Sequence, residues 1–353
     1  MSADCSKKKI LIELMHGIGD TVCSLPMLQV LRDNYPDAQI VVLTKTDAGR
    51  NIILLSQIPI DKIYIFDIYK DMFHSLKFLL QLRQVGFTYG ISSCVTPVRK
   101  AKYFMKIVNP KKWIGLQKQG LFFDLLNNKY HFVEANLLAI KDICKIPEEK
   151  LHPKLYPEKQ CLDRMKKQIN LTVANSGKKI IGVCIGNADY TLKNKFLRYG
   201  YVYTRAWGIE NITKLINLLD QAHYRVLLFG GNREKMLLNH IKKNISMSDR
   251  IIDFVGKTNI QESTALAKLC DCVVGVDTGM QHVAAAVGTQ TVSIFGPTNP
   301  KTHGAYSNNS IFVETNQNCK YCYGTVRYIN CKNRVCLDSI DVNTVLEFIN
   351  NAV

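Results

Sequence analysis

The feature that most restricts this chain is a rhythm. Short apolar runs alternate with stretches whose apolar residues recur at helical spacing. In the first part, KILIEL, QIVVLT, KIYIFD and TYGIS read as strands, and residues 25–34, 48–56, 71–85 and 131–144 read as helices. Alternation of this kind predicts βαβ units and a parallel sheet. The rhythm breaks once, at KIPEEKLHPKLYPEKQ, where Pro147, Pro153 and Pro157 interrupt regular hydrogen bonding. It then restarts, with strands KIIGVCI, YRVLLFG, IIDFVG, DCVVGVD and TVSIF and helices over 209–221, 233–243, 261–269 and 279–287. The chain has 353 residues, more than one ordinary core holds, so two doubly wound α/β halves are expected.

In such sheets ligands bind outside the carboxyl ends of the strands. Two strand-to-helix turns carry unusual residues. The first, MHGIGDTVCSLP, combines Gly17, Gly19 and the carboxylate of Asp20. An acid at a helix N-terminus competes with phosphate for the same amides, which argues against a phosphate cradle. The second lies in CVVGVDTGMQHVAAAVGTQTVSIFGPTNP. A buried run ends at Asp277, and Thr278 and Gly279 open a helix of small residues. The free amides of such a helix form an anion site that suits a diphosphate. The next strand also ends in a sharp turn, GPTNP.

The formal charge is +17, which favours anionic partners. Residues 98–120 carry Arg99, Lys100, Lys102, Lys106, Lys111, Lys112 and Lys118 with no acid, either as a solvated face or as an anion-facing patch. No apolar stretch has the length of a membrane span, and the N-terminus lacks the pattern of a signal peptide, so a cytoplasmic location is expected. Of twelve cysteines, eight are scattered and read as reduced, several of them within apolar segments. Cys319, Cys322, Cys331 and Cys336 cluster in CKYCYGTVRYINCKNRVC. This spacing is open to a structural Zn or Fe site or to four reduced thiols.

The ordered set GIGDTVCSLPMLQVLRDNYPDAQI, RAWGIENITKLINLL, VLLFGGNRE, FVGKTNIQESTALAKLCD and DTGMQHVAAAVGTQTVSIFGPTNP resembles glycosyltransferase family 9, the ADP-heptose:lipopolysaccharide heptosyltransferases. His131, Glu134 and Asn136 fit the same pattern. The resemblance implies the GT-B architecture, two Rossmann-like domains facing a central cleft. It assigns 1–157 to an acceptor-binding domain and 158–338 to a nucleotide-sugar-binding domain with the cysteine cluster. Residues 339–353 are expected to form a helix returning to the N-terminal domain.

The implied activity is inverting, metal-independent transfer of a sugar, heptose from ADP-heptose, onto a bacterial surface glycan such as the lipopolysaccharide core. Another nucleotide-sugar or a protein acceptor is the alternative. A non-enzymatic nucleic-acid-binding chain is disfavoured, because no nucleic-acid motif is present. No cofactor is required for catalysis on this reading. The partners are a nucleotide-sugar donor and an anionic glycan or glycolipid acceptor, with peripheral contact at the inner membrane face and no nucleic acid.

Residue by residue, Asp20 matches the family's proposed base, or else it caps the following helix. Gly17, Ile18 and Gly19, with Lys111 and Lys112, are assigned to the acceptor. Arg205 matches a donor-phosphate contact or is a solvated loop cation. Glu234 matches a carboxylate holding the nucleoside, or sits in a first helical turn where acids are favoured anyway. Gly186, Asp277, Thr278, Gly279 and His282 complete the donor set. The stretch 187–204 departs from the family pattern, with Lys193, Lys195 and Arg198 among tyrosines beside the donor site.

Overall fold

The computed structural model describes residues 7–67, 72–116, 130–169, 179–186, 205–245, 248–323, 325–329, 331 and 335–353. The chain divides into two compact units, Met1–Lys154 and Leu155–Val353, within the proline-rich stretch.

The first unit runs β1 (Lys9–Leu14), α1 (Ile18–Asn34), β2 (Gln39–Thr44), α2 (Asp47–Leu55), β3 (Lys62–Ile65), α3 (Met72–Gln84), β4 (Tyr89–Ser92), α4 (Val98–Val108), β5 (Lys112–Ile114) and α5 (Phe132–Ile140). Its strands are all parallel, in the order β3-β2-β1-β4-β5. The second unit opens with α6 (Lys159–Gln168). It continues through β6 (Ile180–Cys184), α7 (Ile209–Gln221), β7 (Arg225–Phe229), α8 (Lys235–Lys242), β8 (Ile251–Asp253), α9 (Ile260–Leu269), β9 (Cys272–Val276), α10 (Gly279–Ala286), β10 (Gln290–Phe295), β11 (Ser310–Glu314) and α11 (Val342–Ala352). This sheet is parallel too, ordered β11-β10-β9-β6-β7-β8.

The central strands form as read because they are buried on both faces: every residue of β6, β7 and β9 is buried. The edge strands β5 and β11 escape a sequence reading. Both are partly exposed, and β5 has only three residues, so their apolar signal is weak. Helix α1 starts at Ile18, seven positions before the periodic stretch 25–34. Residues 21–28 are buried without a break, so no exposed face marks a helical period there.

The C-terminal helix packs within its own unit. Residues 339–353 belong to the second unit, where Val342, Val345 and Ile349 of α11 join the core formed by α7, β9 and β10. Burying three such side chains contributes about 1.5–3 kcal/mol each. Just ahead of the helix, the buried Trp207 indole donates to the Ile340 carbonyl at 3.1 Å.

Each sheet has one topological switch point, where strand order reverses. In the first unit it lies between β1 and β4, and in the second between β6 and β9. Among the described residues no helix is long and apolar enough to cross a membrane.

Candidate functional site

At the first switch point, Gly17 caps α1 and Asp20 occupies its third helical position. The Gly17 N–H donates to Asp20 Oδ2 at 3.2 Å, so the carboxylate serves as a cap and remains partly exposed. Gly17 has φ −73°, which any residue adopts, so its glycine character is not a conformational requirement. Ile18 and Gly19 form the first turn of the same helix.

Beneath Asp20 lies a buried polar network that sequence reasoning missed. Glu13, in β1, is 1% exposed. Its Oε2 accepts from Thr96 Oγ1 at 2.5 Å and its Oε1 from the Met15 N–H at 3.1 Å. His16 Nε2 lies 2.7 Å from Thr96 Oγ1 and 3.4 Å from Glu13 Oε1. Thr96 spends its single proton on Glu13, so Nε2 of His16 carries the hydrogen of that contact. Burial raises the Glu13 carboxyl. The hydrogen bond and charge of His16, with the bonds from Thr96 and Met15, outweigh it and hold the group below its ordinary value. Glu13 comes from β1 and Thr96 follows β4, so the network spans the switch point. The only signal in the sequence is an acid interrupting the apolar run ILIEL.

His131, Glu134 and Asn136 are pins of this unit. His131 caps α5 with Glu134 in return, while Asn136 accepts from the Cys94 N–H and donates to Ser24 of α1. Helix α4 buries Ala101, Phe104, Met105 and Val108 and exposes Arg99, Lys100, Lys102 and Lys106, so this basic run is the outer face of an amphipathic helix. Lys111 and Lys112 are exposed at the amino end of edge strand β5, with Lys112 in register with Tyr89 and so with Ile10. The structure therefore does not bring them together with Asp20, six residues beyond the end of β1. Lys118 lies outside the described residues.

At the second switch point the same strand-to-helix turn has opposite chemistry. Thr278 caps α10 without a side-chain hydrogen bond to the helix, and no acid occupies the first turn. Thr278 Oγ1 is buried, with the Cys184 thiol as its neighbour. The third helical position, which Asp20 fills in α1, here holds Gln281. It is 1% exposed; its Oε1 accepts from Ser293 Oγ at 3.0 Å, and its Nε2 finds no partner among the described residues. Arg205 Nη2 donates to the Asp277 carbonyl at 3.0 Å and lies 3.9 Å from its carboxylate.

Glu234 is buried and accepts from the Gly231 N–H at 2.7 Å, which makes it the cap of the turn after β7. It packs against Gly186 at the end of β6, where an added Cβ would lie 3.0 Å from Glu234 Cγ. Gly279 begins α10 and His282 is buried within it. Gly186, Glu234, Asp277, Thr278, Gly279, His282 and Arg205 thus gather around the carboxyl ends of β6, β7 and β9. The basic stretch 187–204 lies outside the described residues.

The model of glycosyltransferase family 9 (heptosyltransferase) matches residues 81–332. The chain belongs to glycosyltransferase family 9. It is 25% identical to lipooligosaccharide heptosyltransferase 2 of Campylobacter jejuni subsp. jejuni serotype O:2 over 345 residues, 96% of each chain. To the Haemophilus influenzae protein of the same name it is 29% identical over 210 residues, 56% of this chain and 57% of that one. Among solved structures, Escherichia coli ADP-heptose lps heptosyltransferase II superposes with a TM-score of 0.72 at 21% identity, covering 98% of both chains. The family 9 glycosyl transferase of Veillonella parvula gives 0.78 at 18% identity, covering 100% of this chain and 99% of the other. The fold is the GT-B fold of these proteins.

Cys23, Cys94, Cys144, Cys161, Cys184, Cys270 and Cys272 are buried thiols, and burial pushes Cys184 and Cys272 up to about 12. Cys336 lies near Cys319, Cys322 and Cys331, and burial, reinforced by those neighbours, pushes its thiol up to about 12 as well. The metal reading of the quartet is not supported: among the described residues no group of three or more His, Cys, Asp or Glu is arranged to hold a metal ion. Cys336 is turned instead onto Gly296 at the end of β10, where an added Cβ would lie 3.0 Å from its sulfur.

Proposed function

We propose that this family 9 protein is an inverting heptosyltransferase that moves heptose from ADP-heptose onto the lipopolysaccharide core. The observation that carries the donor side is the α10 N-terminus: its first turn holds no acid, the Thr278 hydroxyl and the Gln281 amide are buried there, and Arg205 is anchored beside it on Asp277. Helix amides and a guanidinium stabilise the charge that grows on a departing diphosphate.

On the acceptor side, Asp20 is the base. An acceptor hydroxyl oxygen forms a bond to the anomeric carbon while the bond to the diphosphate breaks. The diphosphate leaves with the electron pair, and the hydroxyl proton passes to the Asp20 carboxylate. Attack opposite the leaving group inverts the anomeric centre. Every charge in this scheme is met by a side chain or backbone amide, so no divalent ion is called on. The acceptor's phosphates meet the positive face of the protein, which works in the cytoplasm at the inner membrane surface.

The test is direct. Purified protein with ADP-heptose and a heptose-deficient lipopolysaccharide core should release ADP and add one heptose to the acceptor. Arg205→Ala should weaken ADP binding in calorimetry about 10- to 100-fold, the worth of a charge-assisted phosphate contact. Transfer that persists with a UDP- or GDP-sugar but not with ADP-heptose would refute the donor assignment.

A further inference from the structure

The cysteine segment remains without a role in this scheme, yet it reaches the donor side of the second unit. The guanidinium carbon of Arg205 lies 5.3 Å from the ring centroid of Tyr323, the residue that follows the CKYC stretch. We propose that Tyr323 is a donor-positioning residue, which holds the Arg205 guanidinium at the end of β9 in the orientation that grips the donor diphosphate. This rests on the reading of Arg205 as a diphosphate contact.

Three kinds of contact fix the ring. Its own backbone N–H donates to the Pro297 carbonyl at 2.8 Å, and two residues earlier the Tyr321 N–H donates to the Gly296 carbonyl at 3.0 Å. The segment is thus laced to the GPTNP turn at the carboxyl end of β10, the strand next to β9. The ring meets Tyr328 edge-on at 5.0 Å and His303 edge-on at 5.7 Å. The local backbone is bent to deliver it: Tyr321 sits at φ +62°, a left-handed conformation that non-glycine residues adopt rarely. Thr325 closes the turn behind it, through its N–H at 3.1 Å and its hydroxyl at 2.6 Å to the Cys322 carbonyl.

Despite these ties Tyr323 is 42% exposed, so the ring is not placed there to fill a core. The ring face engages the charge of the guanidinium, whose hydrogen-bond donors point outward in its own plane, and a guanidinium held by such a contact can direct them at a carbonyl on one side and a phosphate on the other. The Asp277 carbonyl already takes one of them. On this view two of the cysteines act as packing: Cys336 against Gly296 and Cys319 against the core hold the segment that presents the ring.

Calorimetric ADP titration of the full-length protein tests this, with KM for donor and acceptor measured in parallel. Tyr323→Leu should weaken ADP binding roughly three- to thirty-fold and raise the donor KM alone. Tyr323→Phe, which keeps the ring, should restore both. If Tyr323→Leu proves unstable, Tyr323→Met gives the same comparison. In the double variant with Arg205→Ala, loss of the ring should add nothing further. An unchanged affinity in Tyr323→Leu, beside an intact Arg205→Ala effect, overturns the inference alone. Additive losses overturn it as well, because the ring would then touch the nucleotide itself. An Arg205→Ala variant that binds ADP normally overturns the donor reading and this inference together.

Discussion

The two units use one device in two ways. Each places a strand-to-helix turn at the switch point of a parallel sheet, β1 to α1 in the first unit and β9 to α10 in the second. At the third position of the helix the first has Asp20 and the second has Gln281. The carboxylate of Asp20 closes onto the Gly17 N–H, so the end of α1 already holds a fixed negative charge. Gln281 leaves the first turn of α10 without an acid, and its buried Nε2 has no partner among the described residues. A helix N-terminus is therefore not an anion site by geometry alone. What occupies its first turn decides whether it receives an anion or offers one.

The largest effect should come from removing the offered charge. Asp20→Asn keeps an oxygen able to accept from Gly17, so the melting temperature should hold. Turnover should fall by about 10²–10⁴, the usual worth of a general base, with ADP affinity unchanged. Normal turnover with a lower melting point would reduce Asp20 to a cap and leave the comparison without its chemical half.

The mirror experiment makes the second turn resemble the first. Gln281→Glu preserves the bond from Ser293 and places a carboxylate where an anion is expected. ADP affinity at neutral pH should drop by at least about tenfold and recover partly as pH is lowered and the carboxyl takes up a proton. Affinity equal to the parent protein would show that the donor phosphates do not lie at α10.

A smaller effect concerns what lies beneath Asp20. Glu13→Gln removes a buried charge from the network of Thr96, His16 and the Met15 N–H, and should cost about 1–3 kcal/mol, seen as a melting point lower by several degrees. The sign with pH follows from the lowered carboxyl. Its folded value lies below the ordinary 4.5, so its stabilisation is complete above that value. It is lost as pH falls through the folded value, because the unfolded chain takes up the proton first. The parent protein should lose stability faster than Glu13→Gln over that acid range; parallel acid-denaturation curves would contradict an ionised Glu13.

The smallest effect separates two groups of cations. Lys111 and Lys112 stand at the amino end of their strand, so replacing both with Ala should alter the acceptor KM by less than about twofold, the scale of exposed charges. Arg99 and Lys100, in the first turn of α4 just after Thr96, should matter more, and more at low salt. Equal effects from the two pairs would blur the acceptor assignment.

Much of this was legible because it depends on local pattern. Alternating apolar runs announced both sheets, the proline stretch marked where the chain divides, and the order of the motifs pointed to family 9. Turn residues such as Asp20 and Thr278 could be singled out because glycines and small residues flank strand ends. The start of α1, the edge strands β5 and β11 and the docking of α11 were not legible, since continuous burial hides a helical period and short exposed strands carry little apolar signal.

The linear order of residues, by itself, determined the two α/β halves and the identity of each strand-end turn, because periodicity and turn chemistry act over a few neighbours. Only the tertiary structure decided which distant residues share a site. It brought Thr96 over Glu13 across the β1–β4 junction, set Arg205 on Asp277 and Tyr323 on Arg205, and left Lys112 at the far end of the sheet. Those meetings depend on which strands lie side by side and which ends of them coincide, and strand order in a parallel sheet is set by crossovers that no local pattern records.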